Sequence, residues 1–215
     1  MELNQIQSKK TGILFFDMLN CFYHHAGEEV KARKKTMVEN AVRLMNTGRE
    51  ARIPIFFAKG NHRADNATSA RTLTDTDLTL RPWPNNVVPL VRPAAVEGES
   101  GSDVIPELDP RPTDYYIPKY RWSAFYETYL DLALRAAGID TIIISGASTD
   151  VGIASTIFFG REMDYNMIVV RDACATVHDQ QAHEVLMDLL FPRMCRVRTT
   201  AQVLQMIREA IHIDY

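Results

Sequence analysis

GILFFD, Gly12 to Asp17, is an unbroken apolar run closed by a carboxylate, the pattern of a strand buried on both faces. From Glu28 to Arg52 the period changes: Val30, Met37, Val38, Ala41, Leu44 and Met45 recur at helical spacing. IPIFFA, Ile53 to Ala58, is the next strand. DYYIPK, Asp114 to Lys119, is a third, with Pro118 marking its end. Ala124 to Ala137 reads as a helix with Gly138 as its C-cap. DTIIISG, Asp140 to Gly146, is the clearest central strand, nearly all apolar. There follow a helix near Asp150 to Met163, the strand NMIVVRD from Asn166 to Asp172, and a helix from about Asp179 to Leu190. A strand near Cys195 to Arg198 and a helix near Ala201 to Ile211 close the pattern. This alternation predicts right-handed βαβ units. The expected fold class is α/β, a three-layer α/β/α sandwich with a mainly parallel sheet of about six strands.

One stretch breaks the alternation. Lys59 to Pro112 holds seven of the ten prolines. So long an irregular segment inside a compact domain is usually functional or a linker. A linker fits less well, because the later strands need the earlier ones to complete one sheet. The segment therefore reads as an ordered excursion covering an active site, within a single domain over residues 1–215.

Composition narrows the partners. Hydrophobic residues at 46% and charged residues at 24% exclude wholesale disorder. A formal charge of -3 gives no long-range pull toward nucleic acid or an anionic membrane. The start, MELNQIQSKKTG, has no apolar core of a secretory signal. The apolar runs Ile13 to Phe16 and Ile142 to Ile144 fall far short of the roughly 18 residues that span a membrane. Cys21, Cys174 and Cys195 show no metal or CxxC spacing and read as free thiols in a reducing compartment. The expectation is a soluble cytoplasmic protein with no nucleic-acid or membrane partner.

Ligands of open α/β sheets bind beyond the carboxyl ends of the strands. Asp17, Asn20 and Phe22 follow the first strand, and Lys59, Asn61 and His62 the second. Lys119, Tyr120, Arg121 and Trp122 follow the third. Gly146 to Gly152 forms a strand-to-helix turn after the fourth, and Asp172 and Cys174 follow the fifth. Asp17 is either a loop or helix cap or a partnered charge in a cleft. Lys119 is either a solvated surface lysine or that partner. If the two meet in a dry cleft, each shifts the other's proton affinity, which suits acid–base work. The Gly146 to Gly152 turn is either a plain tight turn or a set of backbone N–H donors for an oxyanion.

Four segments, taken together, resemble the isochorismatase-like hydrolases, also called the cysteine hydrolase superfamily. They are ILFFDMLNCF at Ile13 to Phe22, EGESGSDVIPELDP at Glu97 to Pro110, IPKYRWSAFYETYLDLALRAAGIDTIIISGASTDVG at Ile117 to Gly152, and VVRDACAT at Val169 to Thr176. The family includes isochorismatases, nicotinamidases, carbamoylsarcosine amidases and ureidoacrylate or biuret amidohydrolases. The resemblance implies a catalytic triad whose Asp falls on Asp17, whose Lys falls on Lys119 and whose Cys falls on Gly152. The chain thus resembles the subgroup with glycine in place of the nucleophilic cysteine.

The resemblance also implies a cis peptide before Ser148, with the N–H groups of Ser148 and Gly152 forming an oxyanion site. Asn20, Phe22, His62, Tyr120 and Trp122 become candidate substrate-binding residues. The family's Gln after the first Asp is Leu19 here, and its later Asp is Cys21. The Asp-x-His by which nicotinamidases hold zinc is absent, since the segment reads Gly60-Asn61-His62-Arg63-Ala64-Asp65. No metal and no cofactor are therefore expected. A homo-oligomer, dimer or tetramer, is expected by family analogy.

In the amidase members a thiolate attacks the carbonyl and an acyl-enzyme forms. Glycine cannot do this, though it frees the volume of a thiol side chain. The favoured expectation is vinyl-ether hydrolysis of the isochorismatase type, with Asp17 as general acid. The alternatives are an amidohydrolase in which Asp17 activates water, and a catalytically inactive binding homologue.

Overall fold

The computed structural model describes residues 4–69, 77, 93–176 and 179–213. Its six strands are β1 (Thr11–Phe16), β2 (Ile55–Gly60), β3 (Tyr115–Lys119), β4 (Thr141–Ala147), β5 (Asn166–Ala175) and β6 (Arg196–Arg198). They form one parallel sheet in the order β3-β2-β1-β4-β5-β6. The helices are α1 (Glu28–Glu50), α2 (Leu130–Ala136), α3 (Ala154–Glu162), α4 (Gln180–Val185) and α5 (Thr200–Ile213). β1 and β4 are buried along their whole length, as central strands covered on both faces must be.

The strand period of two sorts β1 between two cores. Ile13 and Phe15 pack with Met37, Ala41 and Leu44 of α1 and Val203 and Ile207 of α5. Leu14 and Phe16 pack on the other face with Leu130 and Leu134 of α2 and Ile157 of α3. Helices therefore cover both faces of the sheet, giving the three expected layers.

Two helices differ from the sequence reading. The helix expected from Ala124 starts only at Leu130. Glu127 has φ +52°, which interrupts any helix, and the Thr128 hydroxyl instead accepts from the Leu130 N–H. The helix expected to Leu190 ends as α-helix at Val185 and continues as a wider turn over Leu186–Leu190. Gly138, with φ +69°, closes α2 as expected.

Of the proline-rich excursion, residues 70–76 and 78–92, with Pro82, Pro84 and Pro89, lie outside the described residues. Its return limb is built into the fold. Val104 bridges Leu19, the Ile105 N–H donates to Met18 O, and Val104, Ile105 and Leu108 are buried. No helix among the described residues is long and apolar enough to cross a membrane.

Candidate active site

Strand register assembles the site. β1 ends at Phe16, which lies beside Ala58 of β2 and Gly146 of β4. Gly60 of β2 lies beside Lys119 of β3. Asp17, one residue beyond β1, has φ +48°, a left-handed conformation that a short polar residue tolerates. Its carboxylate then reaches across the end of β2. Oδ1 accepts from the Gly60 N–H at 3.0 Å, and Oδ2 lies 2.7 Å from Lys119 Nζ. The two side chains are only 13% and 9% exposed, so the pair stands largely out of water. Lys119 Nζ also sits 4.5 Å from the centre of the Phe16 ring, within cation–π range.

The turn after β4 forms the facing wall. Gly146 has φ +130°, and a Cβ there would fall 2.1 Å from Phe16 O, so only glycine fits. The Ala147–Ser148 peptide is cis. The Ser148 hydroxyl donates to Asp150, which also accepts from Thr176 at 2.8 Å. Thr149 Oγ1 meets buried His183 Nδ1 at 2.9 Å, and Thr156 Oγ1 donates to Gly152 O at 2.7 Å. The turn is thus clamped by side-chain hydrogen bonds.

Gly152 does not open a space. A Cβ built on it would lie 2.2 Å from Phe16 Cε1 and 2.3 Å from Cζ. Phe16 is 1% exposed and packed into the core. Its ring occupies the volume that a side chain at position 152 would need. The expectation that glycine leaves a thiol-sized space for water or a bulkier substrate is therefore corrected: the preceding strand fills that space with an aromatic ring.

Asp17, Lys119, Ser148, Gly152, Phe22 and Trp122 all line one pocket of about 210 Å³. Three other expected binding residues do not line it. Asn20 donates to Ser100 O at 2.9 Å and ties the first strand's loop to the return limb. His62 and Tyr120 meet ring edge to face at 5.9 Å. Burial first, and then the Lys119 charge, hold the His62 proton affinity below its ordinary value. A larger hollow of about 520 Å³ is lined by Arg33, Arg171, His183 and Glu184, among others. Its arginines are already paired, Arg33 with Glu29 and Arg171 with Glu184 and Asp188. The smaller pocket, with the Asp17–Lys119 pair, is the candidate active site.

Sequence reasoning missed two of its residues. One is Phe16, read only as strand interior. The other is Lys34 of α1, which is 4% exposed, lines the pocket and donates to Phe22 O at 2.9 Å. Its signal was present: Lys34 falls four residues before Val38 and seven before Ala41, on the apolar stripe of α1.

None of the three thiols lines this pocket. Burial pushes Cys21 up to about 11 and Cys174 and Cys195 up to about 12, so they remain protonated at neutral pH. Among the described residues no three His, Cys, Asp or Glu side chains cluster as a metal site.

Residues 11–202 match the isochorismatase domain family. The chain belongs to the isochorismatase family. The uncharacterised isochorismatase family protein YecD of Escherichia coli O157:H7 is 30% identical over 93% of this chain and 97% of its own length. The match to YwoC of Bacillus subtilis, 36% identical, covers 50% of this chain and 56% of that protein. Ureidoacrylate amidohydrolase RutB of Pantoea ananatis is 28% identical over 77% of this chain and 69% of its own length. Among solved structures, an isochorismatase family protein from Burkholderia thailandensis superposes with a TM-score of 0.76 at 26% identity, covering 95% of this chain and 98% of its own. N-carbamoylsarcosine amidase from Thermoplasma acidophilum gives 0.68 at 27% identity, covering 89% and 96%. This chain is a hydrolase of the family.

Proposed function

We propose that this chain, acting as one catalytic domain, hydrolyses a small carbonyl- or carboxylate-bearing substrate by Asp17 acid–base catalysis, without a thiol nucleophile. The observation that carries this reading is the Phe16 ring beside Gly152: the position facing the Asp17–Lys119 pair has neither a side chain nor room for one. A covalent acyl-enzyme on residue 152 is thereby set aside, and water becomes the nucleophile.

The favoured reaction is vinyl-ether hydrolysis. Asp17 protonates the enol-ether carbon, water adds to the resulting oxocarbenium carbon, and the hemiketal collapses to pyruvate and an alcohol. The proton comes from the Asp17–Lys119 pair, 2.7 Å apart, with Lys119 supplying Asp17 as it is used, and the proton lost by the added water restores the pair. The N–H groups of Ser148 and Gly152 are the proposed donors to a substrate oxygen, and Phe22 and Trp122 are the proposed walls around it.

A second reading has a specific support: the RutB likeness and the N-carbamoylsarcosine amidase likeness are to C–N hydrolases. In it Asp17 acts as a base on water, which attacks a ureide or amide carbonyl. A panel of vinyl-ether carboxylates, ureides and amides, read by mass spectrometry, separates the two. Pyruvate release is expected, and amine or ammonia release would favour the second reading. Turnover unchanged in Asp17→Asn contradicts both, and tight binding with no turnover of any compound identifies an inactive homologue.

A further inference from the structure

Lys34 carries a positive charge that no ion pair among the described residues balances. Its ammonium has three donors, and one is used, on Phe22 O. Among the described residues it makes no ion pair. Asp17 is near enough to act on its charge, but Oδ1 and Oδ2 of Asp17 are committed to Gly60 and Lys119. Cys21, the other titratable group beside Lys34, is a protonated thiol at neutral pH. Asp17 and Lys119 cancel, so the pocket keeps one net positive charge, and Lys34 holds it.

A buried ammonium with no direct ion-pair partner is costly, and Lys34 is only 4% exposed. The same burial lowers its proton affinity. An anion entering the pocket would supply the missing partner through charge-assisted hydrogen bonds. One unopposed charge calls for one negative charge. At about 210 Å³ the pocket is smaller than the roughly 300 Å³ at which drug-sized ligand sites begin, so the ligand is small.

We propose that Lys34 is the substrate-specificity residue of this pocket, holding the carboxylate of a small monocarboxylate opposite the Asp17–Lys119 pair. The proposal rests on the hydrolytic reading for the fate of that substrate, but its test reads binding alone. Pyruvate, crotonate and benzoate, each beside its neutral primary amide, are titrated into the full-length protein by calorimetry at matched ionic strength. The wild-type protein is expected to bind at least one carboxylate about tenfold more tightly than its amide. Lys34→Gln keeps a donor for Phe22 O but removes the charge, and should abolish the preference. Lys34→Met, which keeps the apolar stem, serves should the glutamine variant not fold. Asp17→Asn removes the balancing negative charge and should keep or strengthen the preference even where turnover is lost. A preference that survives in folded Lys34→Gln or Lys34→Met overturns the proposal. So does its loss in Asp17→Asn, or its absence for all three pairs in the wild type. Failure of every compound to turn over leaves the charge preference, and hence Lys34's role, intact.

Discussion

On the β1–β3 side of the pocket, Asp17 and Lys119 bury opposite charges 2.7 Å apart. On the β4 side, Phe16 and Gly152 meet as ring against backbone, with a Cβ at 152 only 2.2 Å from the ring. The two corners are neighbours in the chain, since Phe16 and Asp17 are consecutive. The first keeps the charged pair proposed to move protons. The second fills, with an apolar ring, the position where the family resemblance places a nucleophile. The contrast teaches that the glycine is one half of a packed pair, so its consequences depend on the residue before Asp17.

The charged corner breaks most severely. Lys119→Met leaves a buried carboxylate uncompensated and should cost about 3–5 kcal/mol of stability, measured by denaturant unfolding. A loss below 1 kcal/mol would mean that water, and not Lys119, balances Asp17. Asp17→Asn keeps the shape of that corner and should lower kcat on any substrate found by about 100-fold or more. An unchanged kcat would remove Asp17 from the chemistry.

The packed corner should respond less. Gly152→Cys should cost about 1–3 kcal/mol through overpacking against Phe16. Adding Phe16→Val should relieve that cost, so the double variant is more stable than the sum of its parts allows. Strict additivity in this cycle would show that the two residues do not compete for one volume.

A gradual effect, seen only at alkaline pH, is expected from the thiol on β5. Cys174 has its proton affinity raised by burial from 9.0 to about 12. The unfolded thiol ionises first, so the folded state binds more protons above pH 9, and stability falls as pH rises from there toward 12. The contribution is at most about 1.4 kcal/mol per pH unit. Cys174→Ala should flatten that part of the stability curve. An unchanged slope would mean that the thiol ionises as easily folded as unfolded.

Much of this was readable before the structure, for physical reasons that can be named. β4 was legible because a strand covered on both faces must be largely apolar, and its Ile142-Ile143-Ile144 run is. Asp17 and Lys119 were legible as candidates because charges at the ends of apolar strands need partners. Their meeting was not, because it depends on register and on the φ of +48° that turns Asp17 across Gly60. The false start of α2 has a similar origin: Ala124 to Tyr129 carries a helical pattern, but Glu127 takes a left-handed conformation. Phe16 was hidden because an unbroken apolar run does not reveal which face each ring serves. Lys34 was hidden because a lysine in a helix is normally read as solvated, although its place on the apolar stripe marks the exception.

The central claim is that catalysis here needs Asp17 and no thiol, and a cysteine-free protein tests it most directly. The chain has three cysteines, so Cys21→Ala, Cys174→Ala and Cys195→Ala together remove every sulfhydryl. The triple variant, with folding checked by its melting temperature, is assayed beside the wild type on a substrate found in the panel. The account predicts kcat within about twofold of the wild-type value, because acid–base catalysis by Asp17 requires no thiolate. A folded triple variant with kcat reduced about 100-fold or more would contradict it and return a cysteine to the reaction.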